Sequence, residues 1–151
     1  MGRQPRNNSP ALWHHVMNRG VDHQDIFECA GDGRHFLELI GESCARVDAR
    51  IAASCLMTNH FHLLVNCSGS DLGSFMHHLG WNYARRFNRQ RNRDGPIFRG
   101  RFRSLGIEED DHLATVGRYI HRNPLDLPGP VKLDEYRWSS YRFYVTSTTP
   151  T

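Results

Sequence analysis

His60-Phe61-His62-Leu63-Leu64-Val65 is the stretch that decides how this chain folds. In a β-strand, residues two apart point to the same face. Phe61, Leu63 and Val65 therefore line a face that can be buried, and His60 and His62 project together from the other. Ile51 to Met57 reads as a second strand, with Thr58-Asn59 as a short connection, so the two form a hairpin. Leu12 to Met17 reads as a first strand, closed by the turn signal Asn18-Arg19-Gly20.

Helical spacing fills the intervals between strands. A helix starting near Asp32 would bury Phe36, Ile40, Cys44 and Val47. Asp71 can cap a long second helix carrying Leu72, Phe75, Met76, Leu79, Tyr83 and Phe87 on one stripe. Phe98 to Ile107 is the expected fourth strand, with Arg99, Arg101 and Arg103 on one face. Acidic residues Glu108 to Asp111 favour the start of another helix, with Leu113, Val116, Gly117 and Ile120 on its buried side. Pro124 is expected to stop it, and aromatic residues from Tyr136 to Tyr144 suggest a packed C-terminal helix. The order βαββαβ specifies an α+β, ferredoxin-like fold: a four-stranded antiparallel sheet with helices on one face, plus extra C-terminal helices. The other sheet face, bearing the histidines, is expected to be open. No repeat divides the 151 residues, which read as one domain with a core from about 11 to 145.

Composition narrows the class further. No apolar run is long enough to span a membrane, and Met1 to Pro10 is polar, unlike a signal peptide. Cys29, Cys44, Cys55 and Cys67 form no Cys-x-x-Cys pair and read as reduced, small hydrophobes. A cytoplasmic protein is expected. The net charge of +3 conceals an asymmetry. Between Trp81 and Arg103, eight arginines (Arg85, Arg86, Arg89, Arg91, Arg93, Arg99, Arg101, Arg103) meet only Asp94, a local charge of +7 that leaves −4 elsewhere. Arginine matches phosphate with a planar fork and stacks on bases. Interleaved with Trp81, Tyr83, Phe87, Phe98 and Phe102, these arginines have the composition of a single-stranded nucleic-acid interface.

Tyr119 and Asn123 supply the other half of a reactive site. At spacing four they are neighbours across one helical turn, and His112 falls on the same face. Two imidazoles and an amide can hold a divalent metal, and a phenol one turn away can attack whatever that metal polarises. His121 points away and reads as structural. The pairs His14-His15 and His77-His78 read as surface or packing residues.

Six segments in series resemble the one-tyrosine HUH transposases, and among them the REP-associated tyrosine transposases of bacteria. They are Val16-Met17-Asn18-Arg19-Gly20, Met57 to Val65, Tyr83-Ala84-Arg85-Arg86-Phe87-Asn88, Phe98-Arg99-Gly100-Arg101-Phe102, Tyr119 to Pro124 and Trp138-Ser139-Ser140-Tyr141. The resemblance runs from about Trp13 to Tyr144. It implies cleavage and rejoining of single-stranded or hairpin DNA through a 5′-phosphotyrosine, in DNA transposition or REP-element processing. It implies Tyr119 as nucleophile, with His60, His62 and Asn123 holding Mg²⁺ or Mn²⁺. Thr58 departs from the proline more usual there, and insertion-sequence relatives often carry glutamine where this chain has the shorter Asn123. Insertion-sequence relatives act as dimers that exchange the tyrosine helix, whereas the REP-associated branch tends to monomers, so a monomer is expected. Neutral imidazoles are needed as ligands, so activity is expected to fall as pH drops through about 6. A noncatalytic nucleic-acid-binding protein of the same fold is the competing reading. Such domains stack bases on exposed sheet aromatics, which the His60, His62, Leu64 face lacks. A replication initiator or relaxase is a third reading, disfavoured by the lack of a second tyrosine beside Tyr119 and of a helicase region.

Overall fold

The computed structural model describes residues 12–145, and the reading of Met1 to Pro10 lies outside them. Four strands, β1 (Trp13–Arg19), β2 (Arg50–Leu56), β3 (His60–Asn66) and β4 (Arg103–Ile107), form one antiparallel sheet in the order β2-β3-β1-β4. Helices α1 (Ala30–Val47) and α2 (Gly69–Gln90) link them in the βαββαβ order.

The alternation in β3 partitions the molecule. Phe61, Leu63 and Val65 enter a core with Phe36 and Leu39 of α1 and Phe75, Leu79 and Tyr83 of α2. Truncating a buried phenylalanine costs about 3–5 kcal/mol, a large share of a total stability of about 5–15 kcal/mol. A one-residue slip of β3 would put the histidines into this core and is excluded on that scale. The Tyr83 hydroxyl, buried with the rest, donates to the Ile26 carbonyl.

The opposite face is not open. Helix α3 (Asp110–Arg122) lies across it, packing Val116 and Ile120 onto Ala53, Cys55, Leu64 and Ile107. The expectation failed because half of that face is apolar: in β2 and β3, the residues flanking the histidines demand a cover. On this face His15 and His62 are buried and His60 is half-buried, while Arg103 and Leu105 at the β4 edge stay exposed.

Four boundaries also differ from expectation. Ser68, not Asp71, caps α2: its hydroxyl accepts from the Asp71 amide at 3.3 Å, and Asp71 serves the first turn through the helix dipole. The fourth strand is five residues long, not ten. Met17 pairs with Arg103 and Gly20 with Phe98, so three steps along β1 face five along the other chain, and two residues are looped out around Gly100. The Asn18 side chain donates to the Gly100 carbonyl at 3.1 Å and occupies the interrupted ladder position. Pro124 does not end the helical path. Asn123 keeps helical angles (φ −51°, ψ −41°), and the chain continues as a 3₁₀ turn over Asn123–Asp126. Proline is tolerated in a first turn because its missing N–H had no acceptor there. The C-terminal region forms only the short α4 (Tyr141–Val145). Upstream of it, the Leu56 amide donates to Trp138 and the Ser140 amide to Ser54, so this segment pairs with the outer edge of β2 and protects it from intermolecular pairing.

Gly20 is required by close approach. A Cβ there would lie 2.1 Å from the Gln24 carbonyl oxygen. The turn delivers Gly20 N–H to the Asn59 carbonyl at 2.9 Å, tying β1 to the connection that precedes His60.

Candidate active site

The sheet register assembles the site. Met17 lies opposite His62, Arg19 opposite His60, and Arg103 opposite Met17. Directly paired residues share a face, so β1, β3 and β4 together present His15, Arg19, His60, His62 and Arg103 on the side covered by α3. The His60 and His62 ring centroids are 5.2 Å apart and nearly perpendicular.

Each histidine is held by its δ nitrogen. His60 Nδ1 contacts Asn59 Oδ1 at 2.7 Å, and because an amide oxygen only accepts, Nδ1 carries the proton. Its Nε2 is then the lone-pair nitrogen. His62 Nδ1 lies 3.0 Å from His15 Nε2, in a buried contact. With His62 Nδ1 as donor, His62 Nε2 likewise presents a lone pair. Anchoring of the non-ligating nitrogen is the arrangement that orients metal-binding imidazoles. His15, read from sequence as a packing residue, thus belongs to the site. Its neighbour His14 is a packing residue: it is buried, with Nε2 3.1 Å from the Cys67 carbonyl.

Helix α3 brings Tyr119 over the pair. Its ring lies 5.6 Å from His62 and 5.9 Å from His15, edge-on to both, yet the residue is 55% exposed. Asn123, one turn further, is 7% exposed and donates from Nδ2 to the Tyr119 carbonyl at 3.1 Å. Its side chain also lies close enough to His60 to raise that ring's pKa against the effect of burial. Tyr119, His60, His62 and Asn123, sixty residues apart in sequence, therefore converge.

Burial sets the protonation of the pair. Desolvation lowers the pKa of His60, partly offset by Asn123 and Asp126. Desolvation, with His15 and His60 as further causes, pushes His62 down to about 3. Burial favours the neutral form of both rings, the form a metal requires, and His62 stays neutral well below pH 6. Among the described residues, no three His, Cys, Asp or Glu side chains converge as a metal site. A third protein donor to an ion held by the pair would be of another residue type, and the Asn123 amide, beside His60, could serve. Two neutral imidazoles and an amide oxygen are a donor set that could hold a divalent ion.

A cleft of about 600 Å³ opens beside the histidines, lined by Arg19, Arg99, Arg101 and Arg103 with His60 and His62. Arg118 and Arg122 line a second concavity, of about 520 Å³, with Tyr119 and Asn123. Arg19, Arg118 and Arg122 lay outside the basic run singled out in the sequence. Arg118 and Arg122 stand one residue before and three after Tyr119, a helical adjacency that was legible there.

Two arginines of the run have internal roles instead. Arg91 pairs with Glu28 and with Asp32 at 2.5 Å and lies 3.8 Å over the Phe87 ring. Arg93 donates to Asn88 at 2.9 Å, Gln24 at 2.7 Å and the Pro96 carbonyl at 3.1 Å. They close the turn after α2. Arg85 and Arg89 are exposed on α2, and Arg86 is adjacent to Gln90. His112 is exposed at the start of α3. His121 Nε2 meets the Ser140 hydroxyl at 2.8 Å and its ring packs on Tyr141 and Tyr144, a structural role as expected.

A family model described as "Transposase IS200 like" matches residues 8–123. Among solved structures, the chain is similar to a REP-associated tyrosine transposase bound to a REP hairpin. The TM-score is 0.74 at 16% identity, covering 99% of this chain and 89% of that one. It is also similar to a putative transposase from Deinococcus radiodurans R1, with TM-score 0.50 and 18% identity, covering 81% of this chain and 95% of that one. No curated protein sequence is similar enough to count as a relative. No helix among the described residues is long and apolar enough to cross a membrane.

Proposed function

Because this chain belongs to the IS200-like transposase family, we propose that it cleaves and rejoins single-stranded DNA beside hairpins, with Tyr119 as nucleophile. One observation carries the reading: Tyr119 stands edge-on over His62, and Asn123, a turn away, reaches His60. Phenol, imidazole pair and amide thus share one corner, with the exposed Tyr119 over the buried His62, beside an arginine cleft that reaches both histidines. The similar REP-associated transposase is bound to a REP hairpin, which supports hairpin DNA as the substrate class.

In this reading Arg99, Arg101 and Arg103 bind backbone phosphates and bring one phosphodiester to the mouth of the cleft. His60 and His62, through Nε2, and Asn123, through its amide oxygen, would hold Mg²⁺ or Mn²⁺, which would supply Lewis acidity to the scissile phosphate. Tyr119 Oη attacks phosphorus in line, losing its proton as the P–O bond forms. The bond to the 3′ oxygen breaks, and that oxygen leaves as a hydroxyl. The 5′-phosphotyrosine keeps the phosphodiester energy, so a 3′-hydroxyl can reverse the step without ATP. His15 holds His62 in the tautomer this requires, and Asn59 does so for His60.

The test is a denaturation-resistant protein–DNA adduct formed with Mn²⁺ and labelled hairpin DNA. Tyr119→Phe is expected to abolish adduct and cleavage while leaving DNA affinity within about threefold, since one exposed hydroxyl adds little to a phosphate-dominated interface. An adduct that persists in Tyr119→Phe, or maps to Tyr141, overturns the assignment.

A further inference from the structure

A second groove lies beside the histidine cleft. It is a concavity of about 780 Å³ between α2 and the segment 93–102, a volume in the range that accepts nucleotide-sized ligands. Its floor is apolar, built from Phe61, Ile97 and Phe98. Its wall is the side of α2 that faces away from α1, where Gly80 and Ala84 leave room and Trp81 stands at the lip. Trp81 is 60% exposed. Its indole lies parallel to the His77 imidazole, 12° between planes and 6.2 Å between centroids. An indole left in water beside a large apolar groove does not contribute to the core, and nothing in the chemistry proposed above uses it.

The groove is continuous with the arginine cleft. Asn18, Gly100 and Arg101 line both, and Arg85 and Arg93 add two more cations to the groove's lining against one acid, Asp94. A strand whose phosphates lie along Arg99, Arg101 and Arg103 therefore passes the mouth of an apolar, aromatic-edged recess within a residue's reach. Flat rings on apolar surface, with cations at the rim, are what unpaired nucleobases use: the base stacks while the backbone stays on arginine. We propose that this groove is a base-binding subsite, taking one or two unpaired bases of the DNA strand whose backbone crosses the arginine cleft. The inference rests on the DNA-binding part of the proposed function but not on Tyr119 or the metal.

Gly80 makes the subsite testable without damaging the fold. A Cβ there meets nothing within 4 Å, so Gly80→Phe can fill the groove, and Gly80→Ala is a small-residue control. Binding is measured in EDTA, which prevents metal-dependent turnover. The probes are a hairpin with a single-stranded flank, the same hairpin with an abasic flank, and the hairpin alone. The wild-type protein is expected to prefer the natural flank over the abasic one by about tenfold, the scale of one stacked base. Trp81→Ala and Gly80→Phe should erase that preference and bind the hairpin alone as the wild type does, while Gly80→Ala keeps it. A flank carrying 5-iodouracil should photocrosslink to Trp81 or His77 in the unmodified protein. Equal affinity of the wild type for natural and abasic flanks overturns the subsite and leaves the nuclease reading standing. So does a preference that survives both Trp81→Ala and Gly80→Phe, or crosslinks confined to α3. Failure to bind any hairpin or single strand overturns both.

Discussion

His15 and His62 show how much a single buried contact decides. His62 is 5% exposed and has one polar neighbour at its δ nitrogen, His15 Nε2 at 3.0 Å. An imidazole that loses this partner can rotate or change tautomer, and its ε lone pair no longer faces the cleft. His15→Leu is expected to weaken Mn²⁺ binding to the free protein and slow cleavage about 10- to 100-fold, the range for partners that orient metal ligands. His15→Gln, which keeps an acceptor near that position, should recover much of both. A full-strength Mn²⁺ titration in His15→Leu would make the residue mere packing. The same burial has a consequence for stability. Folded-state pKa values of His14, His15, His60, His62 and His121 are all lowered, with desolvation the largest cause. The unfolded chain, titrating near 6.5, takes up protons that the native state refuses. Stability is therefore fully present above about pH 6.5 and lost as pH falls toward the folded values. Tm should be flat from pH 8 to 7 and decline steadily by pH 5; an unchanged Tm at pH 5 contradicts the neutral, buried assignment.

At the scale of elements, the arginines divide by the element that carries them. Arg91 and Arg93 are used to close the turn after α2, so of eight arginines expected at DNA, six remain on accessible surface. Arg99, Arg101 and Arg103 line the histidine cleft even though only Arg103 is in a regular strand. The loop around Gly100 achieves for Arg99 and Arg101 what strand alternation was expected to do. Each phosphate neutralised contributes about −0.7 to the log–log salt slope for a single strand, so six contacts give a slope of about −4. Changing Arg99, Arg101 and Arg103 to Gln should make it shallower by about two units, read from anisotropy titrations across salt concentrations. An unchanged slope would assign the phosphate contacts to α2 and α3 instead.

At the scale of the whole molecule, the residues of the proposed site are drawn from one chain. Helix α3 packs on its own sheet through Val116 and Ile120, and this seats Tyr119 against the His62 of the same polypeptide. We propose a monomer that acts in cis. Mixing Tyr119→Phe with His62→Ala protein is then expected to leave cleavage absent, because no pairing of chains rebuilds a site. Restored cleavage in the mixture would mean that the tyrosine helix is exchanged between two copies.

Most of this architecture was readable along the chain, because strand alternation and helix periodicity are local. His60-Phe61-His62 with Leu63 and Val65 determined by itself which side of β3 is core, and the four-residue spacing of Tyr119 and Asn123 determined that they are neighbours across one helical turn. The βαββαβ order followed from the same periodicities. The tertiary structure alone decided the rest, since each point depends on residues far apart in sequence. It put His15 on His62 through the β1–β3 register, and it turned Arg91 and Arg93 inward toward Glu28, Asp32 and Gln24. It also laid α3 across the face that alternation alone would leave bare. Periodicity states which face of an element is apolar. It does not state which partner covers that face, because burial is a property of pairs of surfaces, and the second surface is chosen only when the chain folds back on itself.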